Sequence, residues 1–328
     1  MVWVKFILCL LIIFFSGKKV AKYGDIIAEK TGLGGVWIGL VVIAMVTSLP
    51  ELFNGVSAIR LVDAPDLTIG DLLGANMFNM FNLALLDLAH RNGSLLTVVA
   101  QTHRLTGVFS LLLVLLVAIF IFISSRFHPM DIGWIGWYTP VIVLLYLVFI
   151  RLIFLFAQRQ PALQEVGLVY SEKSTGRAYL YFVISAAFII GAGIWLAFIG
   201  DEIARVYGWG QSFVGSLFLA FTTTLPEITV SFAAMRIGAN DLAVANMIGS
   251  NLFNLTIISI DDLLYLKGPV LAAVSESHLV TASTVILMTI AFIAGLSFKS
   301  RRFLRLSYWN VIVILLFFLG AYFSFTLA

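Results

Sequence analysis

Charged residues are scarce in this chain, and cysteine is almost absent. Only 11% of the 328 residues are Asp, Glu, Lys or Arg, whereas a soluble domain carries about 25%. Hydrophobic residues make up 61% of the chain, and its mean hydropathy is +1.05. The net charge of +3 is too small to indicate nucleic-acid binding, and the single cysteine, Cys9, excludes an intrachain disulfide. This composition predicts an all-α polytopic membrane protein, because lipid cannot satisfy open backbone polar groups.

Histidine is scarce as well, and this bears on catalysis. The four histidines are scattered along the sequence. An intramembrane hydrolase would need a nucleophile with a base, or a cluster of metal-binding histidines. No such set shares a helical face with the acidic residues described below. We therefore expect no enzyme and no bound cofactor; the expected partners are inorganic cations and the lipid bilayer, and the oligomeric state stays open.

Long apolar runs are abundant, and runs of roughly 17–25 residues can cross a membrane. The first run is followed by Lys18 and Lys19, whereas a secretory signal carries its charge before the apolar stretch. We interpret it as a transmembrane helix. About ten runs qualify, near residues 2–17, 35–59, 69–89, 105–124, 131–150, 179–199, 211–235, 242–265, 279–298 and 307–327.

The two halves of the chain repeat each other. Glu51 and Glu227 lie 176 positions apart, and the segment Gly74–Asn79 matches Gly249–Asn254 at an offset of 175. The 176 offset also relates Gly24, Asp25, Ala28, Gly32, Gly34, Gly39 and Arg60 to Gly200, Asp201, Ala204, Gly208, Gly210, Gly215 and Arg236. We predict one five-helix repeat over residues 1–150, a connecting loop over 151–178 and a second five-helix repeat over 179–328. Because five is odd, the second repeat is inverted, as in many secondary transporters.

The distribution of Lys and Arg predicts the orientation. With both termini outside, fifteen of the twenty basic residues fall in cytoplasmic connections and five fall outside. The outside set is Lys5, Arg60, Arg126, Arg205 and Lys267. Since cytoplasmic loops carry the excess of Lys and Arg, we predict a multi-pass protein of the cytoplasmic membrane with both termini outside and the 151–178 loop inside.

Two repeated segments place a carboxylate inside an apolar run. Val46-Thr47-Ser48-Leu49-Pro50-Glu51 ends in Glu51, and Thr222-Thr223-Thr224-Leu225-Pro226-Glu227 ends in Glu227. A charge in lipid is costly and usually faces the bundle interior. The hydroxyls three and four residues earlier share the helical face of each glutamate, and each proline frees a backbone carbonyl. These hard oxygen ligands suit Na⁺ and Ca²⁺, so we predict that both segments meet around a cation; packing alone does not require a carboxylate twice.

A second repeated motif adds amide oxygens. Asp71, Ala75, Asn79 and Asn82 share one helical face, and Asn246, Ser250 and Asn254 share another. An asparagine carbonyl can bind a cation without adding charge. We expect Asn79 and Asn254 to contact the ion. For Asn76 and Asn251, interhelical hydrogen bonding and ligation stay open, and His103 and His278 are expected to be interfacial anchors.

These motifs resemble those of the sodium/calcium exchanger (cation/Ca²⁺ antiporter) family of prokaryotic type, over the whole chain. In that family the two glutamates are the central Ca²⁺ ligands, which implies this role for Glu51 and Glu227. Hydroxyls, carbonyls and the polar residue of the second motif complete the Ca²⁺ and Na⁺ sites. The resemblance carries these roles to Thr47, Ser48, Thr223, Thr224, Ser250, the carbonyls of Ala44 and Ala220, Asn79 and Asn254.

The chain departs from the family pattern at a few positions. Ala75 stands where the family usually has Ser, and Asn254 stands where some members have Asp. Val46 and Thr222 replace a common glycine. These changes bear more on Na⁺ as the coupling ion than on Ca²⁺ binding.

The resemblance implies a secondary antiporter that exchanges Ca²⁺ for Na⁺ by alternating access. From transporter architecture and the glycines that flank their ends, we expect the first and sixth helices to move against the rest. A Ca²⁺/H⁺ antiporter, or an exchanger of another cation, is the alternative. A cation channel is a third interpretation, which paired inverted repeats disfavour because they place one buried site in each chain.

Overall fold

The computed structural model describes residues 1–30, 41, 43–90, 93–127, 131–157, 175–298, 302–303 and 306–327. Ten helices of nine or more residues occupy most of these ranges. They are α1 Val2–Lys30, α2 Leu49–Ser57, α3 Pro65–Ala89, α4 Thr102–Arg126, α5 Tyr138–Ala157, α6 Thr175–Tyr207, α7 Leu225–Arg236, α8 Asn240–Leu264, α9 His278–Ser297 and α10 Tyr308–Thr326.

Shorter elements connect or extend these helices. The helical turn Ala44–Thr47 precedes α2, while Gln211–Phe213, the π-helical Val214–Leu219 and Ala220–Thr223 lead into α7. A π-helical turn, Ala58–Val62, follows α2, and 3₁₀ turns lie at Leu95–Thr97 and Val270–Ala272. Two antiparallel hairpins complete the described elements: β1 Asp131–Ile132 with β2 Ile135–Gly136, and β3 Arg302–Phe303 with β4 Leu306–Ser307.

Seven of the described helices are long and apolar enough to cross a membrane: α3, α4, α5, α6, α8, α9 and α10. An eighth span results if Gln211–Thr223 and α7, which meet at 42°, are taken together. The predicted count of about ten is therefore not reached by this measure. Helix α1 is not among them because its apolar stretch also carries Lys5, Lys18 and Lys19. The predicted 35–59 span falls partly on residues 31–40 and 42, which lie outside the described residues.

Helices continue into both ends of the predicted 151–178 loop. Helix α5 extends through Ala157, and α6 already begins at Thr175. Leu152–Phe156 prolong the apolar run beyond Arg151, whose guanidinium lies 5.7 Å from the ring centre of Phe154. A single arginine therefore does not end the helix, because its charged end can extend away from the apolar surface. Residues 158–174 lie outside the described residues.

Both chain termini lie at the same face of the bundle. At the start of α1, the Trp3 ring centre lies 6.3 Å from that of Trp209. Near the end of α10, the ring centres of Phe325 and Phe213 are 4.9 Å apart. Trp209 and Phe213 themselves contact each other at 5.8 Å. We call the side on which α1 begins and α10 ends the terminal face.

Helices α3 and α8 form the centre of the bundle. In their most apolar stretches, 78% of α3 and 94% of α8 is buried, against 22% for α5. Helix α3 approaches the Val214–Leu219 segment very closely, since a Cβ atom added at Gly74 would lie 2.3 Å from the backbone oxygen of Ser216. Small residues permit such approaches between helices in lipid. The central position belongs to the two helices that carry the repeated asparagine motif.

Candidate cation site

A break in the backbone precedes each repeated glutamate. Ser48 (φ −83°, ψ 13°) separates Ala44–Thr47 from α2, and Thr224 (φ −78°, ψ −1°) separates Ala220–Thr223 from α7. Both new helices begin with a leucine followed by a proline, which lacks the backbone N–H that would continue the preceding hydrogen-bond ladder. Glu51 and Glu227 therefore lie in the first turn of a helix, where the helix dipole favours a negative charge.

Both glutamates are completely buried. Among the described residues, no hydrogen-bond donor reaches either carboxylate oxygen of Glu51 or the Oε2 atom of Glu227. Neither glutamate forms an ion pair with a described basic side chain. The two carboxylates belong to one buried region, because the Ser48 hydroxyl, from the segment that ends in Glu51, donates to Glu227. A buried pair of this kind is costly unless a bound cation or proton compensates it.

Hydroxyl groups from both halves of the chain converge on Glu227. Its Oε1 atom accepts hydrogen bonds from the hydroxyls of Ser48 at 3.2 Å and Ser250 at 3.4 Å. The Thr47 hydroxyl in turn lies 3.4 Å from that of Ser250. The structure thus brings the Thr47–Glu51 segment, the second glutamate and α8 into direct contact.

The amide oxygens of Asn79 and Asn254 are oriented as free acceptors. Asn79 donates from Nδ2 to the side-chain oxygen of Asn251 at 3.0 Å, and Asn254 donates to that of Asn76 at 3.2 Å. The Oδ1 atoms of Asn79 and Asn254 are buried and accept no hydrogen bond from the described residues. Asn76 and Asn251 each donate to the backbone carbonyl of the other, at 3.2 and 3.3 Å. Of the two roles left open for Asn76 and Asn251, the contacts favour interhelical hydrogen bonding.

The predicted carbonyl ligands already accept hydrogen bonds. The backbone oxygen of Ala44 accepts from the Thr47 hydroxyl at 3.2 Å, and that of Ala220 accepts from the hydroxyls of Thr223 at 3.3 Å and Thr224 at 2.7 Å. A cation that bound these carbonyls would compete with those hydroxyls. The Thr224 hydroxyl makes its hydrogen bonds within its own segment, to Ala220 and Phe221. The roles of these residues as ligands stay a prediction.

Three polar residues near the site were not among the predicted ligands. Asp71 is fully buried and accepts hydrogen bonds from the Thr223 hydroxyl at 2.9 Å and from Asn54 Nδ2 at 2.6 Å. Asp261 of α8 is buried as well, and its carboxylate lies against Gly55 of α2. In the sequence, Asp71 shares a helical face with Asn79. This spacing could have identified Asp71 as a residue near the site.

The interpretation of His103 and His278 as interfacial anchors is wrong. Both rings are fully buried. His103 Nε2 lies 2.9 Å from an oxygen of Asp241 in α8, and His278 Nε2 lies 2.8 Å from an oxygen of Asp66 in α3. The two histidines are 175 residues apart, and so are the two aspartates. Each histidine thus holds the start of a central helix from the other half of the chain.

The unpartnered atoms of the site are all oxygens. Glu51 contributes two, and Glu227, Asn79 and Asn254 contribute one each. Ca²⁺ prefers six to eight oxygen ligands, whereas thiolate and imidazole ligands suit Zn²⁺ and similar metals. Among the described residues, no group of three or more His, Cys, Asp or Glu is placed to hold a metal ion. The candidate site therefore combines two carboxylates with amide and hydroxyl oxygens.

Comparison with known sequences places almost the whole chain in one family. The sequence profile of the sodium/calcium exchanger protein family matches residues 1–155 and 177–327. The chain is 28% identical to the inner membrane protein YrbG of Escherichia coli over 253 residues, which is 76% of this chain and 75% of that protein. It is 26% identical to the sodium/calcium exchanger MaX1 of Methanosarcina acetivorans, over 87% of this chain and 93% of that protein.

Comparison with solved structures shows the same fold. The chain is similar to the sodium-calcium exchanger NCX_Mj soaked with Na⁺ and Sr²⁺, with a TM-score of 0.62 and 19% sequence identity. The superposition covers 98% of each chain.

Proposed function

Because the chain belongs to the sodium/calcium exchanger family, we propose that this multi-pass membrane protein exchanges Ca²⁺ for Na⁺ by alternating access. Glu51 and Glu227 hold a dehydrated Ca²⁺ ion between them. The observation that carries this proposal is the set of five buried oxygens without donors, supplied by the two glutamates and by Asn79 and Asn254. Hydroxyls and carbonyls of neighbouring residues complete the cation sites: Thr47, Ser48, Thr223, Thr224, Ser250, Ala44 and Ala220.

The charge of the empty site explains exchange rather than leak. Without a cation, two carboxylates share a buried pocket in which no described basic residue compensates them. Movement between the two access states in this condition is costly, since the charges stay desolvated. Na⁺ or H⁺ that binds the same carboxylates displaces Ca²⁺ and allows the return step.

Helices α1 and α6 are placed to couple such a movement to the site. A Cβ atom added at Gly17 of α1 would lie 2.4 Å from the ring of Pro226, and one at Gly193 of α6 would lie 3.2 Å from the carbonyl oxygen of Pro50. Each of these helices therefore touches the break before the glutamate of the opposite half. The two helices also contact each other, since Cys9 lies 3.2 Å from the carbonyl oxygen of Ala192. We propose that α1 and α6 move together against the remaining helices.

Ten crossings in two inverted repeats, 1–150 and 179–328, belong to the same proposal. In support, equivalent contacts occur in pairs: Thr47 with Asn246 at 3.4 Å, and Thr223 with Asp71 at 2.9 Å. The location of both termini at one face fits an even number of crossings.

The proposed orientation puts the terminal face outside and the 151–178 connection in the cytoplasm. It is supported by the excess of Lys and Arg in the connections predicted to be cytoplasmic. The five basic residues predicted to lie outside all have partners among the described residues. Lys5, Arg126, Arg205 and Lys267 form ion pairs with acidic side chains, and Arg60 donates to a backbone carbonyl.

The test is ⁴⁵Ca²⁺ uptake by proteoliposomes loaded with Na⁺. We expect the outward Na⁺ gradient to drive uptake by the wild type, and we expect Glu51→Gln and Glu227→Gln to abolish it. Glu276→Gln is the matched control, because Glu276 is half exposed and pairs only with Arg126 among the described residues. Undiminished exchange by either buried-site variant would contradict the proposal.

The coupling ion is tested in the same vesicles. A Na⁺ gradient at uniform pH and a pH gradient without Na⁺ are applied separately. Uptake driven by the pH gradient alone would replace Na⁺ with H⁺ as the coupling ion. Flux that neither saturates nor depends on a counter-ion would indicate a channel instead.

A further inference from the structure

Asp261 is a buried carboxylate whose side chain has no hydrogen-bond partner among the described residues. It lies one turn before the end of α8 and is fully buried. Neither of its oxygens accepts a hydrogen bond from the described residues. The adjacent Asp262, in contrast, accepts hydrogen bonds from the backbone amides of Gly136 and Val270 and from two hydroxyls. Asp262 therefore fastens the loops at the terminal face, and this explanation does not apply to Asp261.

The carboxylate of Asp261 faces the segment that carries the first repeated glutamate. A Cβ atom added at Gly55 would lie 2.8 Å from Asp261 Oδ2, so only a glycine leaves room for the carboxylate at this point. The preceding residue, Asn54, is fully buried, and its Oδ1 atom accepts no hydrogen bond from the described residues. Its Nδ2 atom donates to Asp71 at 2.6 Å.

This cluster combines residues of both halves, but it has no equivalent at the positions related by the repeat. At the repeat offsets, Asp261 corresponds to Leu86, Asn54 to Val230 and Asp71 to Asn246. The central site has an equivalent glutamate and asparagine in each half, whereas the positions equivalent to the cluster carry no carboxylate. It is therefore not a copy of the central site, and its two carboxylates need an explanation of their own.

We propose that Asp261, Asn54 and Asp71 form a second, weaker site for the transported divalent cation, between the central site and the terminal face. The inference rests on the proposed function. Asp261 and Asn54 supply three oxygens that accept no hydrogen bond from the part of the chain that the structure describes. These are fewer than the six to eight that Ca²⁺ prefers, so retained waters complete the shell and the affinity is lower.

The position of the cluster fits a step on the ion's route. Asp71 contacts the central site through the Thr223 hydroxyl at 2.9 Å. Asp261 is three residues from Leu264, the last residue of α8, whose carbonyl accepts from Arg60. Buried polar groups thus lead from Thr223 through Asp71 to Asn54, and the next residue, Gly55, lies against Asp261. A cation that travels this way moves from the carboxylates of Asp261 and Asp71 to those of Glu51 and Glu227.

The experiment compares the two faces of the membrane. Right-side-out and inside-out vesicles present opposite faces to ⁴⁵Ca²⁺, and the half-saturating Ca²⁺ concentration is measured for each. For Asp261→Asn we expect this concentration to rise about tenfold, which is about 1.4 kcal/mol, when Ca²⁺ is added at the terminal face. We expect no change at the opposite face, and none for Glu276→Gln at either face.

A second variant keeps the charge and blocks the space. Gly55→Ala leaves Asp261 in place but pushes a methyl group against its carboxylate, so we expect the same one-sided rise. Unchanged values, or equal rises at both faces, would overturn the second site. If the wild type exchanges Ca²⁺ normally in that case, the proposed function stands; if the wild type carries no Ca²⁺, both proposals fall.

Discussion

The Glu51→Gln variant distinguishes between two roles of Glu51, that of a cation ligand and that of a purely structural residue. In the wild type, Glu51 is fully buried, and its carboxylate oxygens have no donors among the described residues. The substitution keeps the shape of the side chain and removes the charge. Breaking a buried ion pair by removal of one partner costs about 3–5 kcal/mol. We therefore expect Ca²⁺ to bind the variant roughly a hundred to several thousand times more weakly.

Ca²⁺ should raise the unfolding temperature of the wild type much more than that of the variant. At a Ca²⁺ concentration of about 100 times its Kd, the wild type gains about 2.7 kcal/mol of stability. The same concentration stays below the weakened Kd of the variant, which then gains less than about 0.4 kcal/mol. With Ca²⁺ removed by a chelator, the order reverses: the variant unfolds at the higher temperature, because it buries one ionisable carboxyl group where the wild type buries two.

The assay follows unfolding of the purified protein in detergent, with chelator and with Ca²⁺. Glu276→Gln serves as the control, since it changes the same group at a side chain that is 47% exposed. Surface ion pairs contribute about 0–1 kcal/mol, so this control should keep the Ca²⁺-dependent rise of the wild type. The reasoning is refuted if Glu51→Gln shows the full rise as well.

Three further predictions concern packing, the site and orientation. Gly74→Ala should lower the unfolding temperature, since its Cβ would lie 2.3 Å from a backbone oxygen and overpacking costs about 1–3 kcal/mol; Gly191→Ala, with open space at that position, should not, and equal temperatures would contradict the packing. Asn254→Asp should tighten Ca²⁺ binding in a titration by adding a carboxylate, while unfolding of the Ca²⁺-free protein becomes easier; unchanged affinity would place Asn254 away from the ion. With the native cysteine replaced, Lys267→Cys should react with an impermeant thiol reagent from outside and Arg159→Cys only from inside; the reverse pattern would invert the topology.

Much of the site's arrangement follows from sequence spacing. The repetition of the glutamate segment in both halves of the chain predicted that the two segments meet. In the structure, the Ser48 hydroxyl of the first segment donates to the Glu227 carboxylate of the second. Helical periodicity placed Asn79 and Asn254 on a common face with their motifs, and both amide oxygens are buried and unpartnered. These features depend on local geometry and on duplication, which a single sequence records.

Contacts between distant helices could not be predicted in the same way. His103 and His278 lie near helix ends, a location that is typical of interfacial residues, and nothing in the sequence revealed their aspartate partners. Asp261 and Asp262 are adjacent and chemically identical, yet successive helical residues point about 100° apart. One therefore meets loop amides, while the other faces Gly55. Only the packing of the helices decides this difference.

The central claim is that Glu51 and Glu227 jointly bind the transported cation. Its most direct test is long-wavelength anomalous diffraction from crystals soaked in Ca²⁺. The account predicts an anomalous peak between the two carboxylates, at about 2.3–2.6 Å from oxygens of both glutamates, and its loss in Glu51→Gln crystals. A peak bound to only one glutamate, or one that persists unchanged in the variant, would contradict the account.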